Sequence, residues 1–220
     1  MSEHSSILRA HRAPQASLVE LTGREDLFAA DAVQLSMADG TPPPAHLATS
    51  VVCFWDETSL SVLFRAQYLR LRTLPAGYGG GVVGKTLHLW EQSDVLEVFI
   101  GREVRSVLTY GEFQVAPDGR WLDSRVRLDE EMILLDTAWE SGLRVASVID
   151  VRNNLWRAGM EIPWSAFGTA PPSTCRWDMN CYRATGRFHG DELLAWSPTG
   201  YGEGCFHRPD RFGVLEVIRE

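Results

Sequence analysis

From residue 50 onward the chain is a succession of short apolar runs broken by turn residues, and this pattern narrows its fold more than any other feature. The runs are SVVCFWD (50–56), LSVLFRAQ (60–67), DVLEVFIG (94–101), LTYGEFQVAP (108–117), RWLDSRVR (120–127), GLRVASVID (142–150), NLWRAGMEIP (154–163), RWDMNCYRA (176–184), ELLAWSP (192–198) and FGVLEVI (212–218). They are rich in β-branched and aromatic residues, and several alternate polar with apolar at period two. In LTYGEFQV, Leu108, Tyr110, Glu112 and Gln114 fall on one face, and Thr109, Phe113 and Val115 on the other. Long helices alternating with strands are absent, which argues against a parallel α/β sheet. Regular short strands joined by turns predict an all-β sandwich or barrel. The best short helix is PWSAFG (163–168), where proline opens a turn and glycine closes it; a second is expected near 23–30.

The length of 220 residues suits one large all-β domain. Residues 1–16 are polar and expected to be loose, leaving residues 17–220 as a single domain. The proline run TPPPAHLAT (41–49) separates an N-terminal strand pair from the main body. A net charge of −8 argues against a sequence-independent grip on nucleic acid. No apolar run reaches the length of a membrane span, and the N-terminus has no secretory apolar core. A cytoplasmic location is expected from the sequence as it stands, and a secreted or periplasmic one if an export signal has been removed ahead of residue 1. Cys53, Cys175, Cys181 and Cys205 match no zinc spacing and read as free thiols, and the six histidines are scattered.

One motif points elsewhere. GGGVVGKT (79–86) matches the phosphate-binding pattern G-x-x-x-x-G-K-[ST], and Lys85 is the only lysine in the chain. A true phosphate loop joins a buried strand to a helix that opens at the lysine. Here LHLWEQSDVLEVFI follows, with no helical period and a strand-like end, while Pro75 and Gly77 lie upstream. The segment reads as a glycine-rich surface loop that delivers the chain to Trp90, with Lys85 as a donor to ligand hydroxyls.

The order of segments resembles carbohydrate-binding module family 9 and its relatives. CFWDETSLSVLFRA (53–66) is similar to the family's entry strands, LWEQSDVLEVFI (89–100) to its Trp-acidic segment, and YGEFQVAPDGRWLDSR (110–125) to the next strand pair. WRAGMEIPWSAFG (156–168), RWDMNCYRATG (176–186) and AWSPTGYGEGCFHRPDRFGVLEV (195–217) are similar to its corner and closing strands. The resemblance covers residues 48–218, with a weaker match from about residue 18. It implies an antiparallel β-sandwich of jelly-roll type with one or two short helical corners. It also implies non-catalytic binding of a mono- or oligosaccharide of glucan or xylan type, clamped between two aromatic rings. Family modules accompany polysaccharide-degrading enzymes such as xylanases and contain structural calcium, for which the acidic turn at Asp56 and Glu57 is the candidate.

The residues themselves are compatible with a sugar site. Sugars present C–H faces to aromatic rings and hydroxyls to paired donors and acceptors. Trp90 is the prime stacking candidate, followed by Asp94 and Glu97. If the strands carrying Glu97 and Glu112 pair, Glu97, Glu112 and Gln114 form one polar patch beside Trp90. Asn180 and Tyr182 share a strand face, with Arg183 on the other; the resemblance adds Asn180 and Arg183 to the site. It places the second aromatic wall near Trp196, or at Phe206 and His207. Trp121, Trp139, Trp156, Trp164 and Trp177 are assigned to core and corners. Two alternatives stand beside sugar binding. A glycoside hydrolase would need two carboxylates about 5–10 Å apart, which Asp94, Glu97 and Glu112 can supply in principle. A sandwich with a decayed sugar site would serve protein interaction. Oligomeric state is not legible.

Overall fold

The computed structural model describes residues 6–29, 31–75, 83–129, 132–168, 176–185, 192–200 and 206–219. Fourteen strands form one extended sheet among them. In chain order they are β1 (Ile7–Arg12), β2 (Val33–Gln34), β3 (Ser36–Met37), β4 (Thr49–Trp55), β5 (Ser59–Gln67), β6 (Val95–Gly101) and β7 (Thr109–Val115). Then follow β8 (Trp121–Leu128), β9 (Ile133–Asp136), β10 (Arg144–Asp150), β11 (Leu155–Pro163), β12 (Arg176–Ala184), β13 (Leu193–Ala195) and β14 (Gly213–Val217). Three short helices, α1 (Leu18–Gly23), α2 (Leu89–Gln92) and α3 (Val104–Val107), sit at the connections. The main path runs β10-β11-β5-β4-β1-β14-β12-β6-β7-β8-β9.

This sheet doubles over into two layers. Inward residues of β4, β5 and β11 (Val51, Cys53, Val62, Phe64, Trp156 and Met160) share one core cluster with those of β6, β7 and β12 (Leu96, Val98, Ile100, Phe113, Met179 and Cys181). Period-two alternation puts these side chains on one face of every strand, so burying them forces two sheets together. The sandwich expected from the sequence is therefore the observed one.

The join between layers lies where the chain was expected to be loose. β1 runs parallel to β14 over Ile7–Ala10 and parallel to β4 over Ala10–Arg12, handing over from one layer to the other at Ala10. Leu8 and Ala10 are fully buried. The four-residue alternation of Ile7, Leu8, Arg9 and Ala10 is too short to announce a strand, yet it buries two apolar side chains between the layers. The sheet is consequently mixed rather than wholly antiparallel, with both parallel pairings at β1. Residues 1–5 lie outside the described residues.

The expected corner is present as a 3-10 turn, Trp164–Phe167, between Pro163 and Gly168, whose φ of 69° suits glycine. Trp164 packs against Trp177 at 5.6 Å, plugging this end of the sandwich. Near 23–30 the expected helix resolves into α1 and a 3-10 turn at Glu25–Phe28. Helix α1 opens with a capping box: Glu20 N–H bonds the Ser17 hydroxyl and the Glu20 carboxylate accepts from Ser17 N–H. Its Leu18 and Leu21 cover the outer face of the first layer, against Val52, Phe54 and Leu63. Gly159 makes the close approach possible, since a Cβ there would lie 2.3 Å from Thr22 Oγ1. Cys53 and Cys181 are buried free thiols, and burial pushes both up in pKa. Cys175 and Cys205 lie outside the described residues.

Candidate functional site

The outer face of the second layer is built differently. Strands β6 and β7 pair antiparallel with Glu97 opposite Gln114 and Phe99 opposite Glu112. Tyr182 of β12 sits opposite Glu97 on the other side, and Ser124 of β8 opposite Glu112. Glu97, Glu112 and Gln114 thus form the single patch that their strand positions predict. All three are almost fully buried, at 3%, 3% and 1% exposure.

Burial of two acids side by side has an electrostatic consequence. Removal from water raises Glu97 well above the usual carboxylate range, and the neighbouring Glu112 raises it further. Burial lifts Glu112 to about 7, against the lowering effect of its hydrogen bond from Gln114 and of nearby Ser124. The Gln114 amide donates to Glu112 Oε1 at 2.6 Å. Glu112 Oε2, Gln114 Oε1 and Ser124 Oγ are buried without a hydrogen bond of ordinary geometry. Such groups cost about 1–3 kcal/mol each when left unpaired, so their gathering at one spot needs a reason.

Aromatic rings surround this patch. Phe99, Tyr110, Tyr182, Phe206 and Phe212 belong to one cluster, with Trp90 of α2 packed half-buried against it. Phe206 stacks on Tyr182 at 4.1 Å, and its carbonyl accepts the Tyr182 hydroxyl at 2.9 Å. His207 lies against Phe99 at 5.1 Å and hydrogen-bonds the Tyr110 hydroxyl through Nδ1 at 2.7 Å. Burial lowers His207 to about 4, so the ring is neutral near pH 7. Phe99, Tyr110 and Tyr182 lie together on this face but are not among the site residues expected from the sequence. Their signal was present: each lies at even spacing from Glu97, Glu112 or Asn180 along its own strand.

Other candidates are placed elsewhere. Arg183 points into the sandwich, 1% exposed, and donates to the carbonyls of Leu47 and Gln67 and to Thr49 Oγ1. Burial lowers it to about 10, with Asp94 favouring its charged form. Asp94 itself accepts from Arg72 N–H at 3.2 Å and is 2% exposed. Asn180 is fully buried; its amide donates to Ser197 O and its Oδ1 accepts from the N–H groups of Cys181 and Ser197. Trp196 is a core residue at 7% exposure, packed where a Cβ on Gly213 would lie 2.6 Å from its ring. These four secure the scaffold, and the aromatic wall beside the carboxylates comes from Phe206 and His207 instead.

Lys85 is also far from the carboxylate patch in role. Its Nζ lies 2.6 Å from fully buried Asp123 and donates to the Trp139 carbonyl at 2.6 Å. No helix opens at Lys85; it forms an isolated bridge with Trp121, and α2 begins only at Leu89. The lysine is the counter-ion of a buried acid, and the first half of the glycine loop, 79–82, lies outside the described residues. At the acidic turn, Asp56 Oδ1 accepts from Thr58 and Ser59 and closes the β4–β5 hairpin, while Glu57 pairs with Arg12 at 2.6 Å. Among the described residues no three His, Cys, Asp or Glu side chains gather in metal-binding geometry. None of their helices is long and apolar enough to cross a membrane.

Comparison with solved structures places this architecture. A Bacteroides uniformis protein provisionally assigned to carbohydrate binding superposes with a TM-score of 0.74 at 18% identity, covering 97% of this chain and all of the other. A family-9 carbohydrate-binding module from Caldicellulosiruptor kristjanssonii, solved with cellotriose, gives a TM-score of 0.63 at 10% identity, covering 97% of this chain and 94% of that one. A family-9 module from the same organism, solved with glucose, gives 0.60 at 11%, with 97% and 96% covered. The chain thus has the β-sandwich fold of family-9 carbohydrate-binding modules along nearly its whole length. No protein-family profile matches the sequence, and no curated protein matches it significantly.

Proposed function

We propose that the chain is a non-catalytic carbohydrate-binding domain whose ligand is held on the outer face of the second layer by Glu97, Glu112 and Gln114, with Trp90 as a stacking surface. One observation carries this reading: the buried polar groups of Glu97, Glu112, Gln114 and Ser124 gather among aromatic side chains, with Gln114 Oε1 left without a hydrogen-bond partner. Sugar hydroxyls satisfy such atoms, and aromatic rings take the sugar's C–H face. A carboxyl that keeps its proton near neutrality both donates and accepts, as a hydroxyl ligand requires. The fold shared with modules solved with glucose and cellotriose supports a gluco-configured ligand. A link to polysaccharide breakdown belongs to the same reading, as does service to an enzyme on another chain or domain.

The test is titration of glucose, cellobiose and xylobiose, with their reduced forms, followed by tryptophan fluorescence and calorimetry. Saturable binding that Trp90→Ala abolishes, with the melting temperature kept, is the expected result. A second reading rests on Phe206, which already occupies the face of Tyr182 and closes it over. In that reading the site is decayed and the sandwich serves protein interaction. It predicts no binding of any sugar in the panel by the intact protein. Release of reducing sugar, lost in Glu97→Gln, would instead show a hydrolase.

A further inference from the structure

A cavity of about 550 Å³ opens at one end of the sandwich, between the β7–β8 ladder and the turn at Trp164–Phe167. Tyr110 of the aromatic cluster also reaches it. Gly111 and Arg125, paired across β7 and β8, line it and alternate along their strands with Glu112 and Ser124. Its size is that of a small-molecule site.

The charged groups at this cavity are unlike the chain as a whole, which carries a net −8. Two arginines line it. The Arg125 guanidinium lies 4.9 Å over Trp139 and that of Arg102 lies 5.9 Å over Trp177. Among the described residues neither takes part in a salt bridge. The residue across the ladder from Arg125 is Asp136, whose carboxylate accepts from Ala138 N–H at 3.2 Å. The one lining carboxylate, Glu140, lies 3.4 Å from Lys85 Nζ. A guanidinium resting on an indole keeps its edge N–H groups directed outward, in the fork that matches a carboxylate.

The wall is held from behind. Lys85 Nζ bonds the Trp139 carbonyl, and Asp123 Oδ2 accepts from Ser141 N–H at 2.7 Å. The 2.6 Å Lys85–Asp123 pair therefore fixes residues 139–141 at the cavity's edge. Trp139 and Phe167 supply apolar surface and Ser165 a hydroxyl.

We propose that this cavity is a second ligand site, taking a small hydroxylated carboxylate of which a uronic acid is the simplest example, bound by Arg125 and Arg102 against Trp139 and Phe167. The experiment is calorimetric titration of D-glucuronate, with D-glucose as the neutral control, into the wild type, Arg125→Gln, Arg102→Gln and Glu97→Gln. Saturable glucuronate binding is expected. It should weaken about tenfold or more in each arginine variant, weaken with added salt, and persist in Glu97→Gln. Both arginines are exposed, so the variants should keep the wild-type melting temperature; if one does not, the other gives the result. No saturable glucuronate binding, equal binding by the arginine variants, or loss in Glu97→Gln would each overturn the proposal. Glucose reads the carboxylate face separately, so either site can fail alone.

Discussion

The two outer faces of the sandwich are covered by opposite means. On the first layer, α1 lays Leu18 and Leu21 over Val52, Phe54 and Leu63, with the Thr22 hydroxyl against Gly159 and Glu25 paired to Arg65 and Arg157 beside them. On the second, the strands turn Glu97, Glu112, Gln114 and Ser124 outward and then bury them beneath aromatic rings. A face needs only the first arrangement to be stable. The second spends desolvation free energy on acids and leaves polar atoms unpaired, which a purely structural sheet would not select. The difference is what the proposed sugar site on the second layer rests on.

The comparison breaks most visibly at α1. Leu21, 3% exposed, should lose about 3 kcal/mol of stability on truncation to Ala, measured by urea unfolding, with ligand affinity unchanged. A loss of sugar binding at constant fold would couple the two faces and undo the distinction. Next is the acid pair. In the folded state Glu112 holds its proton up to about pH 7, whereas an unfolded glutamate releases it near 4.5. The folded state then binds more protons across that window, so the contribution of Glu112 to stability is full below pH 4.5 and is lost as pH rises toward 7. Glu112→Gln should remove much of this slope and stabilise the protein at pH 8 by roughly 2–3 kcal/mol, with little effect at pH 4. Equal pH profiles for variant and wild type would show that the pair is not a buried liability. The smallest effect is at the cap: Ser17→Ala, which opens the capping box of α1, should lower the melting temperature by about 2–4 °C and leave sugar binding alone.

Much of this architecture was legible because alternation reports which way a strand residue points. The facing of Tyr110, Glu112 and Gln114, and the opposite facing of Asn180 and Arg183, follow from period two and agree with the structure. The patch of Glu97, Glu112 and Gln114 followed on the condition that their two strands pair, as they do. What alternation does not report is the distant partner of a polar side chain. Nothing near Lys85 names Asp123, and nothing near Arg183 names the carbonyls of Leu47 and Gln67. Both residues therefore looked available for ligand while they satisfy buried groups of the scaffold. Trp196 was misplaced for a related reason: whether a tryptophan walls a cleft or fills the core depends on what lies across the sandwich, here Gly213. β1 escaped notice because its stability comes from two strands far along the chain, β4 and β14.

The most direct test of the two-face account is a map of backbone amide chemical shifts during titration with glucose or cellobiose. The account predicts saturable shifts at Leu96–Phe99 of β6 and Gly111–Gln114 of β7, spreading to Trp90 and His207, while Leu18–Thr22 of α1 stay still. Shifts confined to α1 or to the sheet edges, or none at saturating sugar, would contradict it.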